Sequence, residues 1–450
     1  MKPTTTSRRL RPRARSFVDC LREFLTPALW KQAHKWRQAQ RRSSRWSTQP
    51  LILMLLLMTW CCGDSQSECF ETARAFCIAL LPGRRRPGRT VQGFQKALAK
   101  VPTRALRAVA AGIRRVLATR LAQRWLEDGF IPFGCDGSRL ECPRTAELER
   151  RLRQANKSGA APTLWVTALV HLRLGVPWAW RLGLGTASER AHLVQLLPCL
   201  PPAALLVADA GYTGFALAQA LVQHNVCFLL RMSSNVTLYT KQAVTREQYR
   251  EGVVYHFPAQ DQPQEAPLRL RLIRVRAKQR KNDVWLLTNV LDRRRLSARS
   301  AARFYRWRWE SEGQFRAYKH TLAKVKLTSR TVRLVHREAE GSLLALQLML
   351  AQGVLAVSPR RRAGEAEPVC SPRKVLLVIR QELSARLGRR HKHYGERLGE
   401  AVRERRPRTS AKAVRPWPRR KPHRTPKPPH LRKLTARQKA QMARLKQTAA

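Results

Sequence analysis

The sequence predicts an α/β protein: an open mixed sheet flanked by helices, preceded by a helical basic region and followed by a basic tail. Three observations predict it. Apolar residues recur at helical spacing to about residue 125, short β-branched and aromatic runs alternate with helices from Phe130, and helical periodicity returns at Leu296. At 450 residues and 44% hydrophobic content, the chain can bury a large core in two or three domains.

Residues 1–125 read as a helical basic domain, with stretches such as "FVDCLREFLTPALWKQAHKW", split by the turn-rich "LPGRRRPGRT" at 81–90. Residues 126–231 follow the order strand, strand, strand, helix, strand, helix, strand, the alternation of a sheet with helices packed against it. Between 232 and 290 helix signals vanish and "GVVYHFP", "LRLRLIRVRA" and "DVWLLTNV" appear, a β-rich insertion. Helices resume over 291–358, a further helical region spans 359–400, and 401–450 reads as a flexible, Pro-rich basic tail. No internal repeat is visible. The apolar run at 50–62 is too short to cross a bilayer, and that at 341–357 carries two Gln; both are expected to be core helices, which makes an intracellular, soluble protein with no membrane partner the expectation.

Charge narrows the partner. With 88 Lys and Arg against 29 Asp and Glu, the chain carries a formal +59, far beyond what solubility requires. The tail supplies +16 of this, so the preceding 400 residues keep +43. A polyanion is the natural partner of such a body, and nucleic acid is the obvious one. Ten cysteines contain no CxxC pair and none stands near His at zinc-finger spacing, so they read as reduced thiols.

The segment "FYRWRWESEGQFRAYK", residues 304–319, concentrates the chemistry. On one continuous helix, Tyr305, Arg308, Glu312 and Lys319 fall within an arc of about 60°, while Glu310 lies about 160° from Glu312. A carboxylate beside cations and a phenol suits a metal ion next to phosphate. One carboxylate holds a hard divalent ion poorly, so partners must come from elsewhere. Among the eight Asp, Asp136 follows "FIPFGC" and Asp209 follows "ALLVA", both where strands run out into turns, the usual address of α/β active sites. A turn role is the ordinary alternative for each. Asp64 and Asp128 sit in loops and read as capping or turn residues. The aromatic residues Phe304, Trp307, Trp309 and Phe315 read as packing.

The spacing Y-x2-R-x3-E-x6-K resembles the signature of bacterial DDE transposases of the insertion-sequence-four family. "CDGSRLECPR" resembles that family's first-Asp segment and "LLVADAGYTGFALAQALVQHNVCFLLRMSSN" its second, and a β-rich insertion ahead of the Glu helix is typical of it. The likeness runs from about 130 to 330. It implies an RNase H-like core in which Asp136, Asp209 and Glu312 hold two Mg²⁺, or Mn²⁺, and perform cut-and-paste transposition through a DNA hairpin. Tyr305, Arg308 and Lys319 are then the phosphate grips, and the partners are double-stranded transposon-end and target DNA, bound by a homodimer in the bacterial cytoplasm at the nucleoid. By position Trp285 resembles the insertion-domain Trp that stacks on a flipped base in relatives, although a strand Trp is equally a core residue. Ser138 departs from the Thr often found after the Asp-Gly pair, and residues 1–125 match only in general character. Two other readings stay open: a metal-dependent nuclease of the same fold without strand transfer, and a basic DNA-binding protein descended from such an enzyme.

Overall fold

The structure is a computed structural model and describes residues 15–36, 45–81, 86–122, 125–152, 159–258, 265–276, 283–357, 369–385, 393–404 and 427–448. Most of the Pro-rich stretch of the tail lies outside these residues. The chain divides into two compact units, residues 1–120, 320–324 and 333–404 in one and 121–319, 325–332 and 405–450 in the other.

The first unit is helical. Helices α1 (Phe17–Phe24), α2 (Pro27–His34), α3 (Thr48–Trp60), α4 (Gln66–Leu80), α5 (Val91–Ala99) and α6 (Thr103–Arg120) come from the N-terminal region, and α12 (Val332–Val357), α13 (Pro372–Ser384) and α14 (Tyr394–Gly399) from the C-terminal half. Composition sets the centre of this unit. Helix α3 is apolar on every face and therefore has to be enclosed. It lies against α12: the Trp60 indole donates to the Ala345 carbonyl at 3.3 Å, and a Cβ on Gly341 would collide with Leu55. Helix α12 is long and apolar enough to span a bilayer, yet nearly all of its apolar window is buried inside the protein, as the sequence reading of 341–357 expects. Its buried Glu340 is paired with Arg107 of α6 at 3.2 Å, which meets the requirement that an enclosed carboxylate be neutralised.

The second unit is built on one ten-stranded mixed sheet. Its strands are β1 (Ile131–Glu141), β2 (Thr163–His171), β3 (Val176–Leu184), β4 (Ala204–Ala208), β5 (Cys227–Arg231), β6 (Thr237–Thr240), β7 (Glu251–His256), β8 (Leu268–Val275), β9 (Val284–Thr288) and β10 (His430–Lys433). The spatial order is β10-β6-β7-β8-β9-β5-β4-β1-β2-β3. Strands β1, β2 and β3 form an antiparallel meander, whereas β1, β4 and β5 are parallel and need helical crossovers. Helices α8 (Glu189–Leu196) and α9 (Phe215–Gln223) supply them, and the short α7 (Ala146–Leu152) joins β1 to β2.

Two features go beyond the sequence reading. The β-rich stretch expected over 232–290 extends the central sheet, because β9 pairs antiparallel with β5 at Leu230↔Leu287. Within the expected flexible tail, His430–Lys433 pairs parallel with β6 from Thr237 to Thr240, and α15 (Ala436–Thr448) follows. Backbone hydrogen bonding to an open sheet edge is indifferent to side-chain type, so a basic strand can occupy it.

Helices α10 (Ala298–Trp307) and α11 (Trp309–Arg316) close one side of the sheet. Ala301 and Phe304 of α10 join Leu205, Val207, Leu229, Ile273 and Leu286 in one buried cluster, which fixes the helices over β4, β5, β8 and β9.

Candidate active site

Asp136 and Asp209 stand on neighbouring parallel strands. The β1–β4 register pairs Gly134 with Val207, so Asp136 and Asp209, each two residues further on, emerge side by side. Asp136 lies within β1, opposite Ala168 of β2, and not in the terminal turn the sequence suggested; the meander continues β1 to Glu141. Asp209 does mark the end of its strand. It caps a short 3₁₀ turn at Ala210–Tyr212, with Oδ1 accepting from the Gly211 amide at 2.8 Å. Asp136 Oδ1 likewise accepts the Gly137 amide at 2.8 Å. Burial, with the added repulsion of Asp209 and Glu189, pushes the Asp136 carboxyl up to about 6 against the opposing pull of the Gly137 amide and Arg308.

Glu312 arrives on α11, and a glycine admits that helix. A Cβ at Gly134 would land on Ser311 Oγ and meet Leu172 at 2.7 Å, so α11 lies directly over β1 two residues before Asp136. Arg308 connects the acids. Its Nη2 donates to Glu312 Oε1 at 3.1 Å, and its charge is felt at both Asp136 and Asp209. Burial opposes the guanidinium charge, but Tyr305, Glu312 and Asp209 outweigh it and leave its pKa above the ordinary value. The guanidinium also lies 5.9 Å from the Tyr305 ring centroid and 4.8 Å from that of Trp309.

The expected continuous helix over 304–319 is interrupted. Arg308 sits at a tight turn between α10 and α11, where Arg308 N reaches Tyr305 O and Ser311 N reaches Arg308 O, and a π-helical turn occupies Ala317–Thr321. Tyr305, Arg308 and Glu312 remain together. The π turn alters the phase of the helix before Lys319, whose ammonium is held below its usual pKa by burial, partly countered by Glu141 at the end of β1. Trp285 lies elsewhere on the sheet: it is 5% exposed in β9, packs on Tyr249 and sits under the Arg274 guanidinium. Trp309, which the sequence assigns to packing, is 55% exposed beside Arg308. Among the described residues Tyr305 Oη and Arg308 Nε are buried donors with no hydrogen-bond partner, an arrangement suited to an anionic acceptor.

Glu189 is the residue the sequence reading missed. As the first residue of α8 it looks like an ordinary first-turn acid, yet its carboxylate turns in towards Gly137. Burial and the Asp209 charge hold it above the usual carboxylate range.

These donors are hard carboxylate oxygens, the right kind for Mg²⁺ or Mn²⁺. Among the described residues no three His, Cys, Asp or Glu side chains stand in metal-holding geometry. The aspartates form an adjacent pair, and Glu312 comes with Arg308 attached.

Fold and site together define a mixed α/β protein with an acidic site on a strongly basic chain. Residues 135–348 match the family model of the transposase DDE domain, a segment that contains Asp136, Asp209, Trp285, Tyr305, Arg308, Glu312 and Lys319. Over that segment the chain is similar to transposase DDE domains. No curated protein matches the chain. Among solved structures, a piggyBac transposase synaptic complex with hairpin DNA aligns over 87% of this chain and 86% of the other at 13% identity, with a TM-score of 0.39, a likeness too loose to carry an inference.

Proposed function

We propose that the protein is a cut-and-paste DNA transposase of the insertion-sequence-four type, with an RNase H-like core and a Y-R-E-K helix at Tyr305, Arg308, Glu312 and Lys319. The observation that carries the reading is the Asp136–Asp209 pair on adjacent parallel strands, with Arg308 joining it to Glu312, inside the segment that matches the transposase DDE domain.

Asp136, Asp209 and Glu312 are the residues that would hold two Mg²⁺, or Mn²⁺ in their place. When bound, such a pair activates a water or 3′-hydroxyl on one side of a phosphodiester and stabilises the leaving oxygen on the other. Arg308 supplies a planar fork to a phosphate as Glu312 is drawn away, and Tyr305 donates its hydroxyl, unpartnered among the described residues, beside it. Lys319 adds a cation further along the same strand of DNA. The exposed Trp309 indole offers a base-stacking face next to the scissile position, while the burial of Trp285 favours its core role. Donor and target DNA lie along the basic surface of the body, two copies bring two element ends together, and the reaction passes through a hairpin. The expected setting is the bacterial nucleoid.

The test is a supercoiled plasmid carrying the DNA that flanks the coding region, incubated with the protein and Mg²⁺. Excision with covalent joining of 3′ ends to target DNA is expected. Cleavage without joining identifies a nuclease, and excision that survives Asp209→Ala removes the proposed site from the reaction.

A further inference from the structure

We infer that the helical unit carries a phosphate-binding face, on which Arg104 and Arg107 of α6 and Arg333 and Arg337 of α12 grip the backbone of duplex DNA. The inference rests on the transposase reading only in taking DNA as the polyanion.

Two side chains cross between the helices. Arg107 Nη2 of α6 donates to Glu340 Oε1 of α12 at 3.2 Å, and Arg337 Nη1 of α12 donates to Thr103 Oγ1 of α6 at 2.6 Å. Thr103 stands one turn before Arg107, and Arg337 one turn before Glu340, so the crossed contacts bring the two guanidiniums side by side. Arg104 and Arg333 widen the face. Each lies about one turn before Arg107 or Arg337 on the same side of its helix, and both are exposed. The Arg104 guanidinium stacks over the Trp36 indole, 5.1 Å from the ring centroid, and Trp36 is itself 43% exposed.

The balance of charge asks for an anion. Among the described residues the acid paired with this face is Glu340, which is 1% exposed and is met by Arg107. A tie between two helices needs one such pair and accounts for none of Arg104, Arg333 and Arg337. Arg337 spends a nitrogen on a neutral hydroxyl, which leaves its charge unanswered. Among the described residues, Nε of Arg107 and Nε of Arg337 are buried without a hydrogen-bond partner. Burial, with the charges of Arg107 and Arg333, holds the Arg337 guanidinium below its ordinary pKa against the pull of Glu340. Guanidiniums gathered in this way repel one another, and an anion laid across them removes the repulsion. Planar forks match phosphate oxygens two at a time, and a row of four suits a chain of phosphates better than one small ion. Stacking on Trp36 keeps the Arg104 fork in place while its edge stays open to the ligand.

The experiment is fluorescence anisotropy of a labelled DNA duplex of mixed sequence, titrated with the full-length protein over a range of salt concentrations. Wild type binds with a steep salt dependence. The double variant Arg104→Gln with Arg333→Gln changes two exposed positions where little packing is lost, and is expected to fold normally. It weakens binding by roughly 10- to 100-fold and lowers the slope of log affinity against log salt by about two. Arg337→Gln lowers the slope by about one, whereas Arg337→Lys, which keeps the charge and loses the fork, restores the slope and only part of the affinity. Arg22→Gln, at an exposed position of α1 in the same unit, controls for net charge and stays within about twofold of wild type. Thermal melts establish folding for each. Wild-type affinity and slope in the folded double variant, or a loss per charge as large in Arg22→Gln, overturns this inference alone. No duplex binding by wild type overturns the DNA reading beneath it.

Discussion

Arg308 Nη2 donates to Glu312 Oε1 at 3.1 Å, so the carboxylate proposed to help hold a metal already holds a cation. The pair spans one turn of the same chain segment, and Arg308 is 8% exposed. In the proposed reaction the guanidinium exchanges this partner for a DNA phosphate. Arg308→Ala should then separate two properties. Mn²⁺ affinity is expected to hold or tighten by up to about tenfold, since a partly screened positive charge is removed. Cleavage is expected to fall by about 100-fold or more, the typical cost of losing one donor to developing negative charge. Mn²⁺ titration beside a cleavage assay measures both, and parallel losses in the two would reject the exchange.

Gly134 sets the height of α11 above the sheet. Because a Cβ there would meet Ser311 Oγ and Leu172, Gly134→Ala must lift the helix that carries Glu312 or strain the sheet beneath it. Overpacking of this kind costs about 1–3 kcal/mol. The variant is expected to unfold at lower denaturant and to lose activity out of proportion to that loss of stability. Ser311→Ala or Ser311→Gly introduced with it removes one of the two obstacles and should recover part of both. No recovery would show that α11 does not rest on this glycine.

Asp136 gives the site a pH signature. Its folded carboxyl is raised to about 6 from an ordinary 3.8, so the native state binds this proton more tightly than the unfolded chain. Through this group, stability is fully present at pH below 3.8 and is lost as the pH rises through about 6. Asp136→Asn removes the ionisation. In the absence of metal the variant is expected to be more stable than wild type at pH 7.5, by up to about 3 kcal/mol and less with solvent screening, and to lose that advantage near pH 4. Denaturant titrations at the two pH values test the sign, which is opposite to that of an ordinary salt-bridged aspartate. For the same reason, Mn²⁺ affinity in the wild type should weaken below about pH 6.

How much of this was readable from the sequence depends on the range of the interactions. The Arg308–Glu312 pair follows from helical spacing within one segment, and Asp209 from a strand that ends at a turn. The alternation of strands and helices announces the mixed sheet, whereas the parallel pairing of β1 with β4 is settled only by the fold. Glu189 was not legible because its inward turn depends on the absent side chain of Gly137, brought to it by the fold. The joining of β5 to β9 is a pairing across more than fifty residues, which local alternation cannot specify. Lys319 shared the helical arc only while the helix was taken as regular, and the π turn at Ala317–Thr321 breaks that assumption.

The two tryptophans near the end of the matched segment make opposite predictions. Trp285 is buried in β9 between Tyr249 and Arg274, whereas Trp309 exposes 55% of its surface beside Arg308. Trp285→Ala is expected to cost about 3–5 kcal/mol of stability, as for other large core deletions. Trp309→Ala should leave stability within about 0.5 kcal/mol of wild type, because little packing is lost at an exposed position. Its effect should fall on DNA, with single-stranded or hairpin ends bound about 1–3 kcal/mol more weakly, the usual value of one base–aromatic stack. Denaturant melts and fluorescence anisotropy on both variants decide the matter. If Trp309→Ala binds such ends normally while a folded Trp285→Phe protein does not, the buried ring must swing out to meet the base, and the sheet around β9 must open to release it.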